Sequence, residues 1–134
     1  MIGIVIVAHG GLAREYLAAV EHVVGPQEGI RAITIENDHD RAEKQEEIRA
    51  AADQVDSGDG VVVVTDLFGG SPSNLSLLAC KSCEREIIYG ANLPLLIKLA
   101  KSRSLGVHAA VEAALDAGRK YINSYTANGI DAKS

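Results

Sequence analysis

Two residues in this chain stand where a polar side chain could do chemistry. His9 closes the apolar run Ile2–Ala8, and Asp66 closes the run Val61–Thr65. Each is followed by paired glycines, Gly10-Gly11 after the histidine and Gly69-Gly70 shortly after the aspartate. A histidine whose Nδ1–H is held by a carboxylate keeps a lone pair on Nε2 and becomes a directed nucleophile. The same carboxylate stabilises the positive charge the ring gains on attack. Beyond Asp66, Gly69, Gly70 and Ser71 lead to Pro72, which reads as an N-cap followed by proline at the first helical position. A helix start after a glycine turn offers free N–H groups and a positive dipole end, a ready site for a phosphate or other anion.

Positioning these residues requires a particular sheet. Ile2–Ala8 and Val61–Val64 are nearly unbroken apolar runs, the mark of parallel strands covered on both faces. Ligands in such sheets bind beyond the carboxyl ends of the strands, where strand order reverses. With order 2-1-3-4, strands 1 and 3 are neighbours and His9 meets Asp66.

The intervening segments fit that arrangement. A first helix carries Leu12, Tyr16, Ala19, Val20, Val23 and Val24 on one side and stops at Gly25-Pro26. Ile30–Ile35 is strand 2, and its Arg31 and Thr34 place it near an edge. Asp40 with Glu43 forms a capping box for a helix reaching Val55. A third helix runs from Pro72 to Ser82, and Glu86–Ala91 is strand 4. Asn92-Leu93-Pro94 opens another helix, and Ser104 caps a last one ending at Gly118. Residues Lys120–Tyr125 suggest a short edge strand. Strands alternating with helices give an α/β class, a doubly wound three-layer α/β/α sandwich. Residues 1–126 form one domain and 127–134 a loose tail.

Composition narrows the function. A 134-residue chain can bury roughly two thirds of its unfolded surface as one domain. A net charge of −5 and a pI near 5.3 argue against nucleic acid as a partner. There is no basic leader and no eighteen-residue apolar run for membrane insertion. Two cysteines three residues apart cannot staple such a domain, which suits the cytoplasm. Cys80-Lys81-Ser82-Cys83 falls at a helix end, where the dipole raises rather than lowers a thiol pKa, so packing explains it better than redox chemistry. His22, His39 and His108 share no ligand spacing, and neither a Walker loop nor a dinucleotide fingerprint occurs. No metal or organic cofactor is called for.

On His9-Gly10, Asp66 with Gly69-Gly70-Ser71-Pro72, and Gly90-Ala91-Asn92-Leu93-Pro94, the chain resembles the mannose-type enzyme IIA of the bacterial phosphoenolpyruvate sugar phosphotransferase system. The likeness runs from Ile2 to about Lys120. It implies that His9 is the phosphoacceptor, with Asp66 its hydrogen-bond partner. The donor would be the phosphohistidine of HPr or its nitrogen-system counterpart, and the acceptor a IIB protein. The family fold implies a homodimer exchanging an antiparallel C-terminal edge strand. Leu67-Phe68 replaces a tryptophan found in some members. The same residues would serve a regulatory phospho-switch or a dihydroxyacetone kinase subunit. A receiver domain is disfavoured because no acidic pair ends strand 1, and a histidine phosphatase because Ala8 stands where an arginine is expected.

Overall fold

The computed structural model describes residues 1–67, 76, 84–127 and 129–131. Four parallel strands, β1 (Gly3–His9), β2 (Ile30–Ile35), β3 (Val61–Thr65) and β4 (Arg85–Ile88), form one sheet of order β2-β1-β3-β4. Helices α1 (Leu12–Val24), α2 (Arg41–Val55), α3 (Leu93–Lys101) and α4 (Val107–Lys120) cover it. The expected class and strand order are therefore what the chain adopts.

Side-chain alternation sorts the two faces. Ile4, Ile6, Val62 and Val64 point to the layer of α1, α3 and α4, where Val20, Leu95, Leu99 and Val111 meet them. Val5, Val7, Val61 and Val63 point the other way, onto Ile48, Ala51 and Ala52 of α2. Each fully buried valine or isoleucine is worth about 1.5–3 kcal/mol of transfer free energy. The two strands that carry the site are thus anchored from both sides. Gly3 marks how closely α2 approaches: a Cβ there would collide with the Val55 carbonyl oxygen.

Local signals start the helices as read, with one exception. Asp40 caps α2 by accepting from Glu43 N–H at 2.9 Å, and Asn92 caps α3 by accepting from Leu95 N–H at 3.0 Å. The last helix instead begins after Gly106, without a side-chain cap, and passes through Gly118 to Lys120. Ser104 lies in the turn closed by Leu105 N–H on the Ser102 carbonyl, and so cannot cap it. Gly118 is a close approach rather than a stop, since a Cβ would sit 3.0 Å from Leu95 Cβ. That turn delivers Arg103, nearly fully buried, to the sheet's N-terminal edge. Its guanidinium donates to the carbonyls of Ile2 at 2.7 Å, Glu28 at 2.6 Å and Gly29 at 3.3 Å.

Three other expectations shift. β4 is Arg85–Ile88, not 86–91, because the chain leaves the sheet at Tyr89 and turns at Gly90, whose φ is +72°. Leu12 and Val23 are exposed, and α1 buries Ala13 and Val20 with Tyr16 and Leu17 packed beside them. The C-terminal strand β5 (Ser124–Thr126) pairs antiparallel with β6 (Gly129–Asp131) as a separate two-stranded sheet, not as an edge of the main one. β6 falls in the segment expected as a loose tail. The third helix and the Cys80/Cys83 pair lie outside the described residues, apart from Ser76, which is helical and buried.

Candidate functional site

The site grows out of a mismatch in strand length. The last β1–β3 register pair is Val7 with Thr65, while β1 continues to His9, opposite Ile35 of β2. Along β1, odd-numbered N–H groups face β3: Gly3 donates to Gly60, whereas Ile4 and then Gly10 donate toward β2. The His9 N–H therefore faces β3 after β3 has ended. The Asp66 carboxylate takes the place of the missing carbonyl, its Oδ2 accepting from His9 N–H at 3.1 Å. The same oxygen lies 3.0 Å from His9 Nδ1. One carboxylate oxygen thus holds the backbone and the ring of the same residue.

The chain then turns at Gly10, whose φ of +56° is readily available only to glycine. This turn frees the imidazole from the sheet. The His9 side chain is 49% exposed and that of Asp66 only 10%. Burial pushes the Asp66 carboxyl up, but the backbone N–H and ring of His9 outweigh it, so the carboxyl titrates below the ordinary aspartate range. Asp66 is then ionised at neutral pH and accepts only, so in the neutral imidazole the proton sits on Nδ1 and the lone pair on Nε2. Nε2 has no hydrogen-bond partner among the described residues. Asp66 Oδ1 is buried and likewise has none.

A second layer holds Asp66 in place. Thr65, fully buried, donates its hydroxyl to the Leu67 carbonyl at 3.3 Å and accepts from Ala91 N–H at 3.0 Å. The Ala91 carbonyl accepts from the Tyr16 hydroxyl at 3.2 Å. Tyr16 was legible only as an apolar-face residue of α1. Its hydroxyl was the overlooked signal, since a tyrosine on a core-facing helix must find a polar partner. Leu12, Leu67 and Tyr89, each close in sequence to a strand end, are exposed.

Gly69, Gly70 and Ser71 lie outside the described residues. Two of the other histidines have polar partners of their own. His39 Nδ1 lies 2.7 Å from the Glu36 carbonyl, and His108 sits between Glu86 and Glu112 at 3.3 and 3.5 Å on the surface. Among the described residues no group of three or more His, Cys, Asp and Glu side chains could hold a metal ion. None of their helices is long and apolar enough to cross a membrane.

Comparison with known proteins identifies the family. Residues 3–117 match the family model EIIA-man, described as PTS system fructose IIA component. The PTS system mannose-specific EIIAB component of Escherichia coli strain K12 is 28% identical over 133 residues, which is 97% of this chain. The chain spans 41% of that relative's length. Among solved structures, the phosphotransferase system component EIIA from Streptococcus agalactiae superposes with a TM-score of 0.82 at 25% identity, covering 92% of this chain and 97% of that one. The PTS IIA protein associated with the fucose utilization operon of Streptococcus pneumoniae gives a TM-score of 0.75 at 29% identity, over 85% and 88%.

Proposed function

The chain belongs to the EIIA-man family of phosphotransferase-system IIA phosphocarrier components, and from that premise we propose that His9 is its phosphoacceptor and Asp66 the residue that orients it. The observation that supports this reading is the double use of Asp66 Oδ2, which sets the His9 tautomer while Nε2 faces outward.

In the proposed reaction a neutral His9 attacks phosphorus on the phosphohistidine of an HPr-like carrier. The Nε2–P bond forms as the donor's N–P bond breaks, and the donor ring, already protonated on its other nitrogen, leaves as neutral imidazole with the electron pair of that bond. His9 becomes a phosphoimidazolium whose Nδ1–H remains on Asp66, so the cation is paired as it develops. Phosphoryl transfer passes through a loose, in-line transition state, and the protein mostly supplies position and charge. Gly69, Gly70 and Ser71 are the proposed holders of the phosphoryl oxygens, on the strength of their place after Asp66 in the sequence. The exposed Leu12, Leu67 and Tyr89 would border the docked carrier. The group then passes to a IIB protein in the cytoplasm for sugar transport. Residues 1–126 would form the phosphotransfer domain, working as a homodimer.

Incubation with phosphoenolpyruvate, enzyme I and HPr tests this. An acid-labile, base-stable adduct is expected on the wild-type chain and none on His9→Ala. Equal labelling of the two proteins would overturn the assignment of His9.

A further inference from the structure

We propose that Tyr16 is a positioning residue for phosphoryl transfer at His9, acting on Asp66 through the Ala91 backbone. The inference rests on the reading of His9 as the phosphoacceptor.

A closed circuit of named contacts carries it. Asp66 directly follows Thr65, the last residue of β3. The Thr65 carbonyl accepts from Ala91 N–H at 3.0 Å, and the Ala91 carbonyl accepts from the Tyr16 hydroxyl at 3.2 Å. Tyr16 lies in the second turn of α1, which begins three residues after His9. Asp66 closes the ring by accepting from His9 N–H and lying against Nδ1. The backbone N–H and carbonyl of Ala91 therefore clamp the end of β3 to the helix that leaves His9.

The clamp acts where the sheet does not. β4 ends at Ile88 and Ala91 stands beyond it, after the Gly90 turn with φ +72°. Ladder pairing no longer holds this residue, so the Tyr16 hydroxyl supplies what strand pairing supplies elsewhere. The tyrosine ring packs against the core of α1, α3 and α4, a task phenylalanine would perform as well. The hydroxyl alone distinguishes the two. It also stays a donor over the working pH range: burial pushes the phenol up, and the nearby Asp66 charge pushes it further.

A positioning role differs from a packing role in how it combines with Asp66. Tyr16→Phe should lower the maximal rate of His9 labelling by HPr roughly three- to tenfold, the rate equivalent of one neutral hydrogen bond. The half-saturating HPr concentration should stay unchanged, because the carrier's surface is untouched. On an Asp66→Ala background the same substitution should have no further effect, since the residue it acts through is gone. Long-range ¹H–¹⁵N spectra of the unphosphorylated protein give a second readout without activity. The two His9 ring-nitrogen signals, well separated in wild type, should move toward each other in Tyr16→Phe as the tautomers begin to exchange. An equal loss on both backgrounds, or a wild-type rate with unmoved ring signals, overturns the inference and leaves His9 as phosphoacceptor. A wild-type protein that takes no phosphate overturns the phosphoacceptor reading itself, and the inference with it.

Discussion

Asp66 Oδ2 accepts from the His9 backbone N–H at 3.1 Å and stands 3.0 Å from Nδ1 of the same residue. The backbone N–H can only donate, so whatever occupies this position must present an oxygen to His9. Asp66 Oδ2 thereby completes the β1–β3 ladder and sets the ring tautomer at once. Strand termination and the orientation of the His9 ring are one feature here.

That geometry sets the outcome of Asp66→Asn. In a Ser-His-Asp triad the analogous change costs about 10⁴ because the amide N–H₂ faces the ring and selects the wrong tautomer. Here the His9 N–H keeps the amide oxygen in place, so the tautomer survives and only the charge is lost. Losing one charge-assisted hydrogen bond, about 1.5–3 kcal/mol, corresponds to a slowing of roughly 10–10²-fold. Single-turnover labelling of a folded Asp66→Asn protein checks this. A loss near 10⁴ would mean that the amide had flipped.

The Asp66 carboxyl also makes stability depend on acid. Its folded pKa is depressed, so its contribution is present above the unfolded value of about 3.9 and is lost as pH falls through the folded value. Urea midpoints for wild type and Asp66→Asn should therefore differ most at neutral pH and converge below about pH 4. A gap that persists or widens in acid would contradict the depressed carboxyl.

Much of this was readable beforehand, and the limits have physical causes. Val61–Val64 and Ile2–Ala8 announce doubly covered parallel strands because no surface strand carries so many apolar residues in succession. Their order then brings His9 to Asp66. The shared oxygen was not readable, since it depends on β3 ending two residues before β1 in register. Arg103 escaped notice because a charged residue in sequence reads as surface. Its burial becomes intelligible only when three backbone carbonyls converge on the guanidinium. Ser104 read as a cap by residue type, yet it belongs to the turn that brings Arg103 inward.

Arg103 gives a prediction remote from the chemistry. Lysine cannot reproduce a planar fork serving Ile2, Glu28 and Gly29 together, so Arg103→Lys leaves buried carbonyls without donors. The cost should be about 1–3 kcal/mol. His9 labelling at a temperature where the variant is folded should be unaffected, because Arg103 sits at the opposite edge of the sheet. Chemical denaturation measures the first effect. An unchanged midpoint would show that water satisfies those carbonyls.

The last prediction concerns assembly. β5 and β6 pair only with each other among the described residues, and a lone two-stranded hairpin is marginal in water. Tyr121, Ile122 and Tyr125 are 67%, 63% and 74% exposed. Within the main sheet β4 has β3 on one side and no strand among the described residues on the other. An open edge and an uncovered apolar segment in one chain are matching liabilities, which a second copy could relieve by strand addition. Light scattering at micromolar concentration should then give about twice 14.1 kDa. The double variant Ile122→Lys, Tyr125→Lys should shift the mass toward that of one chain while His9 and Asp66 keep their contact. A wild-type protein that scatters as a single chain would refute the dimer, and the exposed segment would then need another partner.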